Sequence, residues 1–260
     1  MNETEFSRLA AAGYNRIPVT LRTPADLDTP LSIYLKLADA PYTYLLESVQ
    51  GGERFGRYSF IGLAAKTRIE VRDTTIRVFE GKDVVLEDTT TPPLEFISQY
   101  MARFKVPDLP SLPRSCGGLV GSFGYDTVRY VEKKLSHAHK PDVLGTPDIL
   151  LLLSDELAVV DNLSGQLSLI VYADPMQPEA YLQAQSRLNE LARQLRKPAI
   201  PPKSEAGEPA EAVSEFGEAG FKAAVEQAKK YIVEGDIMQV VLSQRMSRSL
   251  KAHPLSLYRS

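Results

Sequence analysis

Leu157-Ala158-Val159-Val160-Asp161-Asn162-Leu163-Ser164-Gly165-Gln166-Leu167-Ser168-Leu169-Ile170-Val171-Tyr172 is the stretch whose reading decides the fold. Two runs rich in apolar residues, 157–161 and 166–172, flank Asn162-Leu163-Ser164-Gly165, whose Asn, Ser and Gly favour a turn. The pattern predicts an antiparallel hairpin. Just before it, Ile149-Leu150-Leu151-Leu152-Leu153 is the longest apolar run. It has the length of a buried strand and is far too short to cross a bilayer.

Toward the amino terminus the same alternation recurs. Residues 66–72 and 75–80 read as half-buried antiparallel strands, and 42–48 and 58–61 as strands around a Gly51-Gly52 turn region. Residues 17–21 are a further short strand. Thr29-Pro30 supplies an N-cap and a first helical residue for a helix carrying Leu31, Tyr34, Leu35 and Leu37. Thr91-Pro92 starts a second helix with Leu94, Ile97, Met101 and Phe104 along one stripe. A charged, Leu-rich helix is predicted over 178–195. The reading is an α+β fold dominated by antiparallel sheets.

Toward the carboxyl terminus, residues 198–214 form a linker rich in Pro, Glu and Ala. Phe221, Val225, Ala228 and Ile232 then make a helical stripe closed by Gly235. Residues 237–245 are predicted as a strand, with Ile237, Gln239, Val241, Ser243 and Arg245 on one face. His253-Pro254 opens another helix. Two domains are expected, 1–197 and 215–260. The second is too short for a good core of its own and is read as truncated.

Composition excludes several classes. The 260 residues carry 30 Lys plus Arg and 33 Asp plus Glu, a formal charge of −3, so no basic excess exists to hold nucleic acid or an anionic membrane. One cysteine, Cys116, cannot close an internal disulfide, and the acidic start lacks signal-peptide features, so a cytoplasmic location is expected. No Walker A loop, G-x-G-x-x-G or G-x-S-x-G motif is present. His137 and His139, beside Lys140, read as a solvated loop rather than metal ligands. The glycine-rich run Gly117-Gly118-Leu119-Val120-Gly121-Ser122-Phe123-Gly124-Tyr125-Asp126 suits close packing or a sheet bend better than a phosphate cradle, for no Lys-Ser/Thr follows it.

Three segments, in order and spacing, resemble the chorismate-utilising family of anthranilate synthase component I. They are Leu45-Leu46-Glu47-Ser48 with Gly56-Arg57-Tyr58-Ser59-Phe60-Ile61-Gly62; the glycine-rich run continued through Thr127-Val128-Arg129-Tyr130-Val131-Glu132; and Gly235-Asp236-Ile237-Met238-Gln239-Val240-Val241-Leu242-Ser243-Gln244-Arg245. The resemblance implies an amino-terminal portion of such an enzyme, with 1–197 a regulatory domain bearing a tryptophan site and 215–260 the start of a chorismate-binding domain. It implies conversion of chorismate and ammonia to anthranilate and pyruvate, with Mg2+ as cofactor and a glutamine amidotransferase subunit as partner. Tryptophan is the implied feedback inhibitor. The metal ligands and most acid/base groups are expected beyond Ser260, so no metal site is assigned to this chain and the chain alone is expected to be inactive.

The resemblance assigns tryptophan binding to Glu47 and Ser48. A carboxylate can pair with the ligand ammonium and a hydroxyl can hydrogen-bond its polar end. Arg54 and Arg57 are both candidates for the ligand carboxylate, with no choice between them. Gln239 is assigned to the side where the nucleophile enters. Water-adding relatives carry a lysine there, and glutamine, lacking a basic nitrogen, fits ammonia as nucleophile. Two alternatives stay open: aminodeoxychorismate synthase component I, and a non-catalytic module that binds an amino acid or a partner subunit.

Overall fold

The computed structural model describes residues 1–48, 56–110, 112–113, 116–136, 142–203 and 211–260. The Gly51-Gly52 turn, Arg54, and the His137, His139 and Lys140 loop lie outside these residues, as does part of the predicted linker. The chain divides into two units, Met1–Ile200 and Pro201–Ser260.

In the first unit the strands are β1 (Ile17–Pro24), β2 (Tyr44–Leu46), β3 (Tyr58–Gly62), β4 (Thr67–Arg72) and β5 (Thr75–Glu80), followed by β6 (Asp83–Asp88), β7 (Gly118–Phe123), β8 (Ile149–Ser154), β9 (Glu156–Asp161) and β10 (Gln166–Ala173). They make two five-stranded sheets, ordered β1-β10-β9-β3-β2 and β6-β5-β4-β8-β7. Every neighbouring pair is antiparallel. The α+β reading therefore holds. The predicted hairpin is β9–β10, closing at Asp161↔Gln166.

Two consecutive strand pairs, β3–β4 and β8–β9, pass from the first sheet to the second or back. Only Asp155 separates β8 from β9. At this corner the Leu63 N–H donates to the Glu156 carbonyl (3.0 Å), and the Tyr172 N–H to the Asp155 carbonyl (2.8 Å). Arg16, 7 % exposed, spans the corner. Its Nη2 donates to the Ser154 carbonyl at 2.6 Å and its Nη1 lies 2.6 Å from the Asp155 carboxylate. The guanidinium sits over the rings of Phe104 (5.1 Å) and Tyr172 (4.7 Å).

The strand alternation sorts side chains into separate cores. On one face of the first sheet, Val19, Ile61, Val160, Leu167 and Leu169 are buried under three helices. These are Glu3–Ala11, through Phe6 and Leu9; Pro30–Leu37, through Ile33; and Ala180–Leu195, through Ala184, Leu188 and Leu191. The opposite face gathers Leu157, Val159 and Ile170 with Tyr44, Tyr58, Phe60 and Tyr172. In the second sheet, Ile69, Val71, Ile76, Val78, Ile149 and Leu151 pack against Leu94, Phe96, Ile97 and Tyr100 of helix Pro93–Ala102. Each such side chain removed from water contributes roughly 1.5–3 kcal/mol before conformational entropy is subtracted.

Local signals place the ends of these elements. Thr29 caps Pro30–Leu37 by accepting from the Ser32 N–H at 3.1 Å, and the Ser32 hydroxyl oxygen in turn accepts from the Thr29 N–H at 3.0 Å. Asp161 shapes the β9–β10 turn by accepting from the Leu163 N–H at 3.1 Å. Strand β6 was not anticipated. It is an edge strand exposed along most of its length, so Val84-Val85-Leu86 lacks the alternation that marks a half-buried strand.

The glycine-rich run is β7, laid along β8 with Gly121 opposite Leu151. A Cβ on Gly121 would lie 1.9 Å from the Leu150 carbonyl oxygen, so the close-packing reading is the one the backbone supports.

In the second unit, helix Glu218–Glu234 stacks Phe221 edge-on against Phe216 (centroids 5.8 Å apart) and ends at Gly235, whose φ is 83°. The strand predicted over 237–245 is absent. Two short strands pair instead, β11 (Val213–Ser214) with β12 (Met246–Ser247). The physical reason is that extended backbone needs a ladder partner, and among the described residues 237–245 pairs with no strand, its one backbone tie to the β11 segment being the Arg245 carbonyl, which accepts from the Glu215 N–H at 3.2 Å. Met238 (98 % exposed), Val240 and Val241 stand in solvent, while Ile237 and Leu242 are half-buried. The helix at Pro254–Arg259 forms as predicted, with His253 Nδ1 accepting from the Leu255 N–H at 3.2 Å.

Substituting Gly121→Ala should cost about 2 kcal/mol, because the methyl group must push β7 away from backbone rather than from a flexible side chain. Urea unfolding monitored by circular dichroism measures it; an unchanged midpoint would mean β7 does not lie against β8 in this register.

Candidate functional site

Strand β2 is short and lies at the edge of the first sheet. Among the described residues it pairs only with β3, through Tyr44↔Gly62, Leu45↔Ile61 and Leu46↔Phe60. Tyr44 joins the aromatic face and Leu45 the helix-covered face, the alternation expected of a strand. The strand predicted to run to Ser48 stops at Leu46, which is 51 % exposed. Glu47 and Ser48 follow immediately, beyond the last ladder pair, and both are half-buried. The structure thus places these two predicted residues side by side just past the end of β2.

Two hydroxyl contacts fix the approach to this edge. Tyr34 of helix Pro30–Leu37 meets the Thr43 hydroxyl at 3.0 Å, and Thr43 in turn donates to the Ala40 carbonyl at 2.9 Å. The Tyr44 hydroxyl meets Ser154 Oγ at 2.9 Å. Burial pushes the Tyr44 pKa up, with the Ser154 bond acting in the opposite direction.

Of the two candidate cations, Arg57 is described and Arg54 is not. Arg57 precedes β3 and forks onto the Asp161 carboxylate, its Nη2 at 2.8 Å from Oδ2 and its Nε at 3.1 Å from Oδ1. It also lies 5.0 Å from the Tyr58 ring centroid. The Arg57 bond holds the Asp161 carboxyl down at about 2; partial burial opposes this, and bonds from Ser164 and Leu163 assist it. Arg57 therefore already has a carboxylate partner within the protein. A cleft of about 530 Å³ opens beside this pair, lined by Arg22, Tyr58, Leu112, Ser164, Gln166 and Ser168 among others. Its hydroxyls, amide and cation–carboxylate pair suit a polar ligand. Glu47 and Ser48 are not among its described lining residues.

Gln239 belongs to the second unit and is exposed in the stretch that forms neither helix nor strand. Cys116 is a packing residue: its thiol donates to the Pro113 carbonyl at 2.9 Å, and burial pushes its pKa up to about 11. Among the described residues no three His, Cys, Asp or Glu side chains come together as a metal site. No described helix is long and apolar enough to cross a membrane. Sequence reasoning missed Asp161 as the partner of Arg57 and Arg16 as the corner residue. Asp161 carried a usable signal, since Asp before Asn162 marks a turn, but nothing local names a partner 104 residues away.

A family model described as chorismate binding enzyme matches residues 41–260, and the chain belongs to that family. The match runs through both units, so it does not assign them separate roles. Over 263 aligned residues the chain is 53% identical to anthranilate synthase component 1 of Neisseria meningitidis serogroup B, covering 100% of this chain and 53% of that protein. The protein of the same name from Pseudomonas aeruginosa is 52% identical over 267 residues, covering 100% of this chain and 54% of its own length. The chain thus spans about half the length of the curated relatives it matches. The crystal structure of anthranilate synthase component I from Streptococcus pneumoniae TIGR4 superposes with a TM-score of 0.64 over 92% of this chain and 51% of its own. At 24% identity that likeness concerns the fold alone.

Arg57→Gln should move the Asp161 pKa up from about 2 toward its ordinary value. Because the carboxyl is depressed in the folded state, the pair's contribution to stability is present above about pH 4 and is lost as pH falls through the folded value. The variant should therefore lose less stability than the parent over that acid window. Carboxyl-carbon NMR titration reads the pKa directly, and an unmoved Asp161 would show that the fork does not form in solution.

Proposed function

We propose that this chain is the amino-terminal part of an anthranilate synthase component I. In this reading the full-length protein adds ammonia to chorismate at C2, loses the C4 hydroxyl and eliminates pyruvate to leave anthranilate. A glutamine amidotransferase subunit delivers the ammonia, tryptophan inhibits the enzyme by feedback, and the protein works in the cytoplasm. The single observation that carries the reading is the 53% identity to a protein of that name across the whole of this chain. Magnesium enters as the cofactor implied by the family. No residue of this chain is assigned to it.

Residues 1–197 are read as the regulatory domain, 198–214 as a linker and 215–260 as the beginning of the chorismate-binding domain. Glu47 and Ser48 are read as the tryptophan contacts. Their adjacent, half-buried positions just past the end of an edge strand support this. The ligand carboxylate is not assigned to Arg57, which is held by Asp161. Gln239 is read as the neutral group beside the entering nucleophile. That role rests on the resemblance alone, because the strand expected to aim its side chain is not formed.

Full-length protein supplied with chorismate, ammonium and magnesium should produce anthranilate, followed by its fluorescence, and tryptophan should suppress it. No anthranilate under these conditions would refute the reading. Ser48→Phe overfills the site and removes a hydroxyl, so the half-inhibiting tryptophan concentration should rise by roughly tenfold or more at near-normal turnover. Equal loss of turnover and inhibition would make Ser48 a structural residue.

Gln239→Lys should lower anthranilate output and, as pH rises from about 7 to 9 and the lysine loses its proton, divert chorismate toward a hydroxylated product. Chromatography of the products decides this: unchanged anthranilate with no hydroxylated product would remove Gln239 from the nucleophile's path.

A further inference from the structure

The end of the second sheet where β4 and β7 finish and β8 begins is built around Asp148. Its N–H donates to the Val71 carbonyl at 2.8 Å, and its carbonyl accepts from the Gly124 N–H at 2.7 Å. Its carboxylate accepts from the Asp73 N–H at 2.7 Å. The Tyr130 hydroxyl donates to the Asp73 carbonyl at 2.7 Å and lies 3.2 Å from the same Asp148 oxygen. Burial first, and then the Asp148 charge, keeps the Tyr130 pKa above its ordinary value, so the hydroxyl stays a donor. Next to Asp73, Arg72 Nη1 donates to the Gly145 carbonyl at 2.7 Å.

These bonds hold apolar side chains out in water. Phe123 and Tyr125 flank Gly124, Val131 follows Tyr130, and Leu144 precedes Gly145. All four are exposed, Tyr125 at 94 %, and so are Leu135 and Val143. Local turns fix the backbone that carries them. Tyr125–Tyr130 and Lys133–Leu135 are 3-10 turns, and the Asp142 carboxylate accepts from the Leu144 and Gly145 N–H groups. Large apolar side chains gathered at one exposed end mark an interaction surface. Because their backbone is already ordered, covering them costs little further entropy.

The charge pattern says what kind of cover fits. Along 125–135 the apolar residues are separated by Asp126, Arg129, Glu132, Lys133 and Lys134, and Arg129 pairs with Asp126 at 2.8 Å. Packing within the first unit buries unbroken apolar faces, as between β4, β5 and helix Pro93–Ala102. Apolar anchors mixed with charge are instead the make-up of an interface between separately folded subunits. Lys133 and Lys134 outnumber Glu132 at the rim, so carboxylates suit the opposing surface.

We propose that this end of the second sheet is where the glutamine amidotransferase subunit docks, with Tyr125 and Val131 in the contact and Lys133 and Lys134 at its rim. The proposal rests on the reading that such a subunit delivers ammonia to this enzyme.

The test titrates the full-length protein with its amidotransferase subunit and follows anthranilate formation from glutamine and, separately, from ammonium. Tyr125→Asp and Val131→Asp each set a carboxylate in the contact at a side chain that stands mostly in water, so the fold has little to lose. Each should raise the subunit concentration that half-saturates glutamine-supported activity roughly tenfold or more. Lys133→Glu combined with Lys134→Glu reverses the rim charge and should raise it roughly threefold or more. Turnover with ammonium should stay within about twofold throughout. Leu27→Asp, at a similarly exposed leucine between β1 and helix Pro30–Leu37, should alter neither activity.

Unchanged half-saturation in Tyr125→Asp and Val131→Asp, or in the lysine double variant, would overturn the proposal, as would a Leu27→Asp that behaves like them. An equal loss with ammonium would mean that the enzyme's own chain covers this surface. A changed mass in light scattering without the subunit would mean that a second copy covers it. Either result overturns the proposal. If the parent makes no anthranilate from ammonium, the enzyme reading fails first. If it uses ammonium but the subunit confers no use of glutamine, the partner reading fails. In both cases the proposal falls with the reading, and both differ from a glutamine-using parent whose variants behave like it.

Discussion

Arg16 is the residue on which the first unit turns. The two sheets share no ladder, yet the chain crosses between them at β8–Asp155–β9 with a single residue to spare. A buried guanidinium there is costly unless its charge and its donors are all met. Asp155 meets the charge, the Ser154 carbonyl takes a donor, and Phe104 and Tyr172 cover the flat faces. The same segment ties in the helix over the second sheet, for the Asn15 and Arg16 N–H groups donate to the Lys105 carbonyl and Asn15 Oδ1 accepts from the Lys105 N–H at 2.7 Å. One cation thus joins the first sheet, the second sheet and the chain beyond helix Pro93–Ala102. Removing the Asp155 carboxylate would leave the charge buried and uncompensated.

That arrangement separates a stiff interior from a permissive rim. The corner and the central strands bury large aliphatic side chains on one or both faces. Polar groups lie at the margins: Glu47 and Ser48 past the end of β2, and the Arg57–Asp161 pair where β3 begins and β9 ends. A scaffold that keeps its recognition groups on its edges can change them without disturbing its core.

The hairpin over 157–172 was legible because everything it needs is local: two β-prone runs, a turn cluster and an Asp to cap it. The helix at Pro30–Leu37 was legible for the same reason, through Thr29 and Pro30. Long-range facts were not. No spacing in the sequence tells that Arg57 answers Asp161, that Tyr44 reaches Ser154, or that β8 and β9 lie in different sheets. Residues 237–245 show the converse. Their alternation reads as a strand, but alternation records a preference for a pleated, half-buried surface and supplies no neighbour to pair with. Glu47 and Ser48 could be nominated from the resemblance, whereas their place just off the ladder required the register of β2 on β3.

Strand β6 has an exposed edge with charges at both ends. Val84, Val85 and Leu86 stand in solvent on an unpaired flank of the second sheet, the kind of surface on which a second molecule can add a strand. The apolar trio is bracketed by Asp83 on one side and by Glu87 and Asp88 on the other. In a symmetric antiparallel pairing of two copies, Asp83 of each would face Asp88 of the other, setting carboxylate against carboxylate at both ends. Hydrogen bonds from Thr91, and then from Thr90, hold the Asp88 carboxyl well below the usual carboxylate range, so this charge persists in mild acid. Self-pairing of this edge would therefore work against electrostatic repulsion carried by the same six residues that complete the sheet.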